Sequence, residues 1–187
     1  MNKKIERSGL ILGIIVFVVL IVIGIWWYGQ SSATSNDMSA TVNKQTVAVD
    51  VYSTKSVNAI IESSPDLSTY ASYFTSTGVS SLTSGNGPYT IFAPTNVAFS
   101  HQKTGSISGL GAAAQKRLVE YHIVTDRALD PKALYFGTVQ AMSGDMLNFS
   151  DNQAGEPQVN SSFITHAYKG SNGVVYAISE VLLPPSK

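Results

Sequence analysis

The chain has 187 residues, no cysteine and only 13% charged residues, with 12 Lys/Arg against 12 Asp/Glu. Without cysteine there are no disulfides, no thiol catalysis and no cysteine-ligated metal sites, so the fold depends on a hydrophobic core. The balanced charge gives no reason to expect a nucleic acid or an acidic polymer as partner.

Residues 1–8 carry Lys3, Lys4 and Arg7, and Gly9 to Tyr28 follow with neither charge nor proline. That run is about twenty residues, the length that crosses a hydrocarbon core of about 30 Å. Its centre from Leu10 to Ile23 is apolar all round, and Trp26, Trp27 and Tyr28 close it, where amphipathic rings favour the headgroup layer. The pattern predicts a single-pass transmembrane signal-anchor helix over 9–28. The basic flank stays inside, so the N-terminus is cytoplasmic and the rest of the chain extracytoplasmic. The run exceeds the about 7–15 apolar residues of a secretory signal. Ser31-Ser32-Ala33 is nevertheless a passable cleavage site, and cleavage near Ala33 would give a secreted protein. Gly9-x-x-x-Gly13 offers a helix-pairing contact, a route to weak homo-association. Residues 29–45, rich in Ser, Thr and Asn, read as a flexible linker with a reach of roughly 20–25 Å.

The remainder, 46–187, reads as one globular domain. Val47, Val49 and Val51 alternate with smaller or polar residues, predicting a short strand. Ser56 to Glu62 places Val57, Ile60 and Ile61 at helical spacing. A second helical stretch begins at Asp66 after Pro65, with Leu67, Tyr70, Ala71 and Phe74 on one face, and ends at Gly78 as a left-handed cap. Ser84-Gly85-Asn86-Gly87-Pro88 is a turn, and Tyr89 to Ala93 a strand stopped by Pro94. Thr95 can cap a short helix through Phe99. Gly105 to Gly111 reads as loose. Ala112 to Tyr121 is a helix with Leu110, Ala114 and Leu118 in register, and Pro131 opens another short helical turn. Strands follow at Val139–Met142, Met146–Phe149, Phe163–Tyr168 and Val174–Leu183, the last ending at Pro184-Pro185. Helices first and a meander of strands second is an α+β layout.

Tyr89-Thr90-Ile91-Phe92-Ala93-Pro94-Thr95-Asn96-Val97-Ala98-Phe99 resembles the first signature of the fasciclin family. Asn172-Gly173-Val174-Val175-Tyr176-Ala177-Ile178-Ser179-Glu180-Val181-Leu182-Leu183-Pro184 resembles the second. Between them Leu118 to Val124 is similar to the family's central Tyr-His element, here Tyr121-His122. The order and spacing agree over about residues 47–185. The fold-signature residues are Thr90, Phe92, Ala93, Pro94, Thr95, Asn96, Phe99, Asn172, Gly173, Val174, Ile178, Val181, Leu182 and Pro184.

The resemblance implies a fasciclin-like wedge-shaped β-sandwich with helices packed on one side. It also implies cell adhesion or surface and matrix interaction by non-catalytic binding, with no cofactor. The partner it implies is an extracellular protein, a glycan or matrix. Two other functions stand beside adhesion: a carrier of a small apolar ligand, lipid or pigment, and an envelope spacer with no specific ligand. The Asp-Ile pair tied to integrin recognition in animal members is missing at Ser162-Phe163-Ile164 and at Ser179-Glu180, so that partner is not implied. In relatives His often stands at the place of Tyr176, and Asp at that of Ser179.

The residues themselves suggest local uses. Pro94 ends strand pairing, Thr95 and Asn96 can bond nearby backbone, and Phe99 returns to the core. His122 reads as an internal, hydrogen-bonded histidine, with partner contact by the Tyr121-His122 element as the alternative. Candidate binding residues are Tyr121, His122, Tyr135 and Phe136, with Tyr70 and Tyr73 as further aromatic contacts. Three histidines with no close spacing make no metal site. Gly105-Ser106-Ile107-Ser108-Gly109 has isoleucine where a nucleophile elbow needs serine, and the sequence holds no phosphate loop, dinucleotide fingerprint or H-E-x-x-H. Asn148-Phe149-Ser150 and Asn160-Ser161-Ser162 are glycosylation sequons.

Overall fold

The computed structural model describes residues 47–52, 54–101 and 105–186, with backbone alone at 105 and 106. The expected cytoplasmic start, transmembrane helix and linker over 1–45 lie outside the described residues. Among the described residues no helix is long and apolar enough to cross a membrane.

Two strands at the centre explain the rest. β2 (Tyr89–Pro94) and β8 (Gly173–Ile178) run parallel, with Ile91 opposite Val175 and Phe92 opposite Tyr176. Both are nearly continuous apolar runs, the pattern of strands covered on both faces. Alternation then divides them. Ile91, Ala93, Val175 and Ala177 face one core, and Phe92, Val174, Tyr176 and Ile178 face a second.

The first core is closed by helices. They are α1 (Val57–Ser63), a 3-10 turn Pro65–Leu67, α2 (Ser68–Ser76), α3 (Val79–Leu82), α4 (Asn96–His101), α5 (Gly105–Ser108) and α6 (Ala112–Tyr121). Ile60, Ile61, Leu67, Tyr70, Phe74, Phe99 and Leu118 pack inward from them. Gly78, at φ +74°, separates α2 from α3 as expected of a left-handed cap.

The second core is closed by strands β4 (Gly137–Gln140), β5 (Met146–Asp151) and β6 (Pro157–Val159), with a 3-10 turn at Pro131–Leu134. The sheet order is β3-β2-β8-β7-β6-β5-β4, where β3 is Ile123–Val124 and β7 is Ser162–Gly170. β1 (Ala48–Val51) adds to β7 in parallel. The result is a mixed sheet, sandwich-like over the second core, with helices on the opposite face of its centre.

The short strand expected around Val47, Val49 and Val51 is present as β1, with Val49 and Val51 exposed, Val51 by 67%. Several expectations need correction. The last strand ends at Ile178, five residues short of Leu183, because the following backbone bonds elsewhere. Ser179 N–H donates to the Phe163 carbonyl and Glu180 N–H to Ser162 Oγ. Gly105 to Gly111 contains the helical turn α5. The strand expected at Val139–Met142 is displaced to Gly137–Gln140, since Met142 N–H bonds the Ile123 carbonyl. β3 and β6 are two and three residues long, too short to leave a period in sequence. Leu110 and Ala114 are exposed, and of that expected stripe only Leu118 is buried.

Candidate functional site

The polar residues of the signature motifs converge on the fold's own backbone. Thr95 caps α4 through Ala98 N–H, at 3.2 Å to its Oγ1. Asn96 was expected to bond nearby backbone and instead reaches another helix. Its Oδ1 accepts Thr69 N–H at 2.9 Å and its Nδ2 donates to the Pro65 carbonyl at 2.9 Å. The side chain thus satisfies an orphan donor at the start of α2. Thr90 Oγ1 donates to the Arg127 carbonyl and accepts Leu129 N–H, both at 2.9 Å. Tyr176 adds its hydroxyl to the Leu129 carbonyl at 2.7 Å, so both central strands hold the 127–129 segment.

Asn172 is the corresponding staple at the other signature. Its Oδ1 accepts Val57 N–H at 2.8 Å, at the start of α1, and its Nδ2 donates to the Gly85 carbonyl at 2.8 Å. Its own carbonyl accepts Tyr89 N–H. The chains approach so closely that a Cβ on Gly173 would collide with the Tyr89 carbonyl, and one on Gly87 with the Asn172 carbonyl. Phe92, Ala93, Pro94, Phe99, Val174, Ile178, Val181 and Leu182 are buried, and Pro184 is half-buried.

His122 is wholly buried at the end of α6. Nδ1 lies 2.8 Å from the Leu118 carbonyl and Nε2 lies 3.0 Å from Leu182 N–H. A carbonyl only accepts and an amide N–H only donates, so the ring is neutral with its proton on Nδ1. Burial lowers its pKa to about 4, against a smaller opposing effect of the Leu118 carbonyl. Tyr121 is buried as well. Its hydroxyl donates to the Met146 carbonyl at 3.0 Å and accepts Asn160 Nδ2 at 2.7 Å. Asn160, the acceptor of one sequon, lies half-buried in the turn between β6 and β7 with its side chain already hydrogen-bonded.

These placements redistribute the candidate contacts. Tyr121, His122, Tyr135 and Tyr70 lie in the interior, because each ring fills core volume between helix and sheet or beneath the strands. Tyr73 is partly buried and stacks on Phe99 at 5.7 Å. Phe136 alone of the six stands out, 73% exposed. Alternation could not separate Tyr135 from Phe136, since they lie in the corner between a 3-10 turn and β4.

A second surface feature was not foreseen. Asp50 on β1 and Tyr52 just after it meet Tyr168 on β7 along a cleft closed by Ser63, Ser64, Pro65 and Asp66, and Asp50 pairs with His166 of β7. The Val-Asp-Val-Tyr alternation is visible in sequence, but its partner strand is 116 residues away. No group of three or more His, Cys, Asp or Glu able to hold a metal occurs among the described residues.

The fasciclin domain model matches residues 65–184. Protein sll1483 of Synechocystis is 27% identical over 165 residues, 84% of this chain and 89% of that protein. Stabilin-1 of Mus musculus is 28% identical over 141 residues, 72% of this chain but only 6% of its own length. Immunogenic protein MPB70 of Mycobacterium bovis is 28% identical over 106 residues, 56% of this chain and 54% of that protein. Among solved structures, a FAS1 domain pair from the insect cell adhesion molecule Fasciclin I superposes with a TM-score of 0.62 at 16% identity, over 70% of this chain and 51% of that one. That likeness concerns the fold alone, and it agrees with the family match: the chain belongs to the fasciclin domain family.

Proposed function

We propose that this protein is a membrane-anchored, extracytoplasmic adhesion module that acts by binding and not by catalysis. The observation that carries this reading is how the signature polar groups are used. Thr90, Asn96, His122 and Asn172 all bond the protein's own backbone, which leaves recognition to the outer surface. Phe136 is the leading contact there, since it is 73% exposed and aromatic side chains are enriched at protein interfaces. The solved relative is described as a cell adhesion molecule, which favours the same reading. The anchor at 9–28 rests on its uncharged run and basic flank. An anchored domain gains avidity from many copies on one surface, so modest single-site affinity suffices.

The test is to reconstitute the full chain in lipid vesicles and measure their retention on native envelope or partner-cell material as chain density is varied. Steep density-dependent retention, with the C-terminal domain digestible by external protease in right-side-out vesicles, is expected. Retention no greater than that of protein-free vesicles at high density would favour the spacer reading. A stoichiometric lipid or pigment extracted from the purified chain would favour the carrier.

A further inference from the structure

The cleft at the β1/β7 edge has a different character from the staples. In the register of β1 against β7, Ala48 stands opposite His166 and Asp50 opposite Tyr168. Alternation puts Asp50, Tyr52, His166 and Tyr168 on one face, turned toward the end of α1 and the Pro65–Leu67 turn. Asp50, Tyr52 and Tyr168 enclose, with Lys55, Ser63 and Asp66, a cleft of about 260 Å³. The Tyr52 and Tyr168 rings lie 6.3 Å apart and tilted by 31°. Asp50 Oδ2 is 2.9 Å from His166 Nε2. The Lys55 ammonium donates to Ser63 Oγ at 3.2 Å and sits 5.3 Å from the Tyr52 ring centre.

Tyr168 packs partly against the first core, whereas Asp50 and Tyr52 are exposed. All four residues of β1 are exposed. The phenols of Tyr52 and Tyr168 and the carboxylate of Asp66 have no hydrogen-bond partner among the described residues. Partial burial, then Asp66, Asp50 and Tyr52, holds the Tyr168 phenol above its ordinary pKa, so it stays a donor.

The chemistry of the lining selects its ligand. Two carboxylates accept hydroxyl protons, an ammonium and two phenols donate to ring or hydroxyl oxygens, and angled tyrosines offer apolar area to a C–H-rich face. Two carboxylates against one ammonium disfavour an acidic ligand. Lys55 already holds the cationic position over Tyr52, which disfavours a cationic one. We propose that this cleft is a binding site for a neutral glycan, held by Tyr52, Tyr168, Asp66 and Lys55. It is separate from Phe136 and does not depend on Phe136 serving as an adhesion contact.

The test uses the full chain in zwitterionic detergent, with immobilised mannan, galactan, xylan and β-glucan as probes and alginate and polylysine as acidic and basic controls. Binding to at least one neutral polysaccharide and to neither control is expected. Asp66→Asn and Tyr168→Ala should each weaken it about tenfold or more, the cost of a lost hydrogen bond to a charged group or of a lost aromatic contact. Phe136→Ala should leave it unchanged. Asp66 is an exposed side chain, so Asp66→Asn keeps the test sound if Tyr168→Ala fails to fold. Absence of binding to all four neutral polysaccharides by the folded chain would overturn the proposal. So would binding at the wild-type level by folded Asp66→Asn and Tyr168→Ala variants, or a preference for alginate or polylysine. Vesicle retention that survives Asp66→Asn while glycan binding is absent would leave adhesion standing and remove this site alone.

Discussion

His122 Nε2 accepts the backbone N–H of Leu182 at 3.0 Å, joining the end of α6 to a segment 60 residues later in the chain. Leu182 lies beyond the last strand, so no ladder bond is available to that amide. The histidine takes the place of a strand partner. His122→Ala would strand both the Leu182 N–H and the Leu118 carbonyl in a buried site. The expected loss is about 2–5 kcal/mol, read from the urea midpoint of the full chain.

The same ring sets an acid dependence. Burial lowers its pKa from 6.5 to about 4, so between those values the unfolded chain binds a proton that the folded chain refuses. Its contribution is complete above about pH 6.5 and is lost as pH falls toward 4. The span corresponds to about 3 kcal/mol at most. Unfolding measured from pH 7 to pH 4 should show this slope in the wild type and a shallower one in His122→Gln.

Tyr70 makes the opposite case. Its hydroxyl is buried with no hydrogen-bond partner among the described residues, beside the rings of Phe74 and His122. A buried hydroxyl without a partner carries a desolvation cost of about 1–3 kcal/mol. Tyr70→Phe keeps the ring and removes that cost. A raised melting temperature is expected, and an unchanged or lowered one would mean the hydroxyl is satisfied.

Tyr135 and Phe136 are neighbours in sequence with opposite environments. Tyr135→Ala should cost about 3–5 kcal/mol, as for other buried aromatics. Phe136→Ala should shift stability by no more than about 0.5 kcal/mol. Thermal melts of the two variants read the difference directly.

The contrast marks what was legible in the sequence. The helical faces of α1, the Pro65–Leu67 turn and α2 were visible because Val57, Ile60, Ile61, Leu67, Tyr70 and Phe74 repeat at helical spacing. The central strand at Ile91 and Phe92 was visible as an apolar run bounded by Pro94. Partnerships across the chain were not. Asn96 reads as bonding nearby backbone, yet its amide serves α2, 27 residues earlier. The end of β8 is set by Ser162, Phe163 and His122, none of which is near it in sequence. Which aromatics face solvent was hidden for the same reason, since the covering elements arrive from distant segments.

The central claim is that this domain binds through its outer surface while its signature residues serve the fold. The direct measurement is retention of vesicles carrying Phe136→Ala on partner-cell or envelope material, at matched density with wild type and with folding checked by thermal melt. Loss of most retention at an unchanged melting temperature is predicted. Full retention by that variant, or retention lost only in step with unfolding, would contradict the claim.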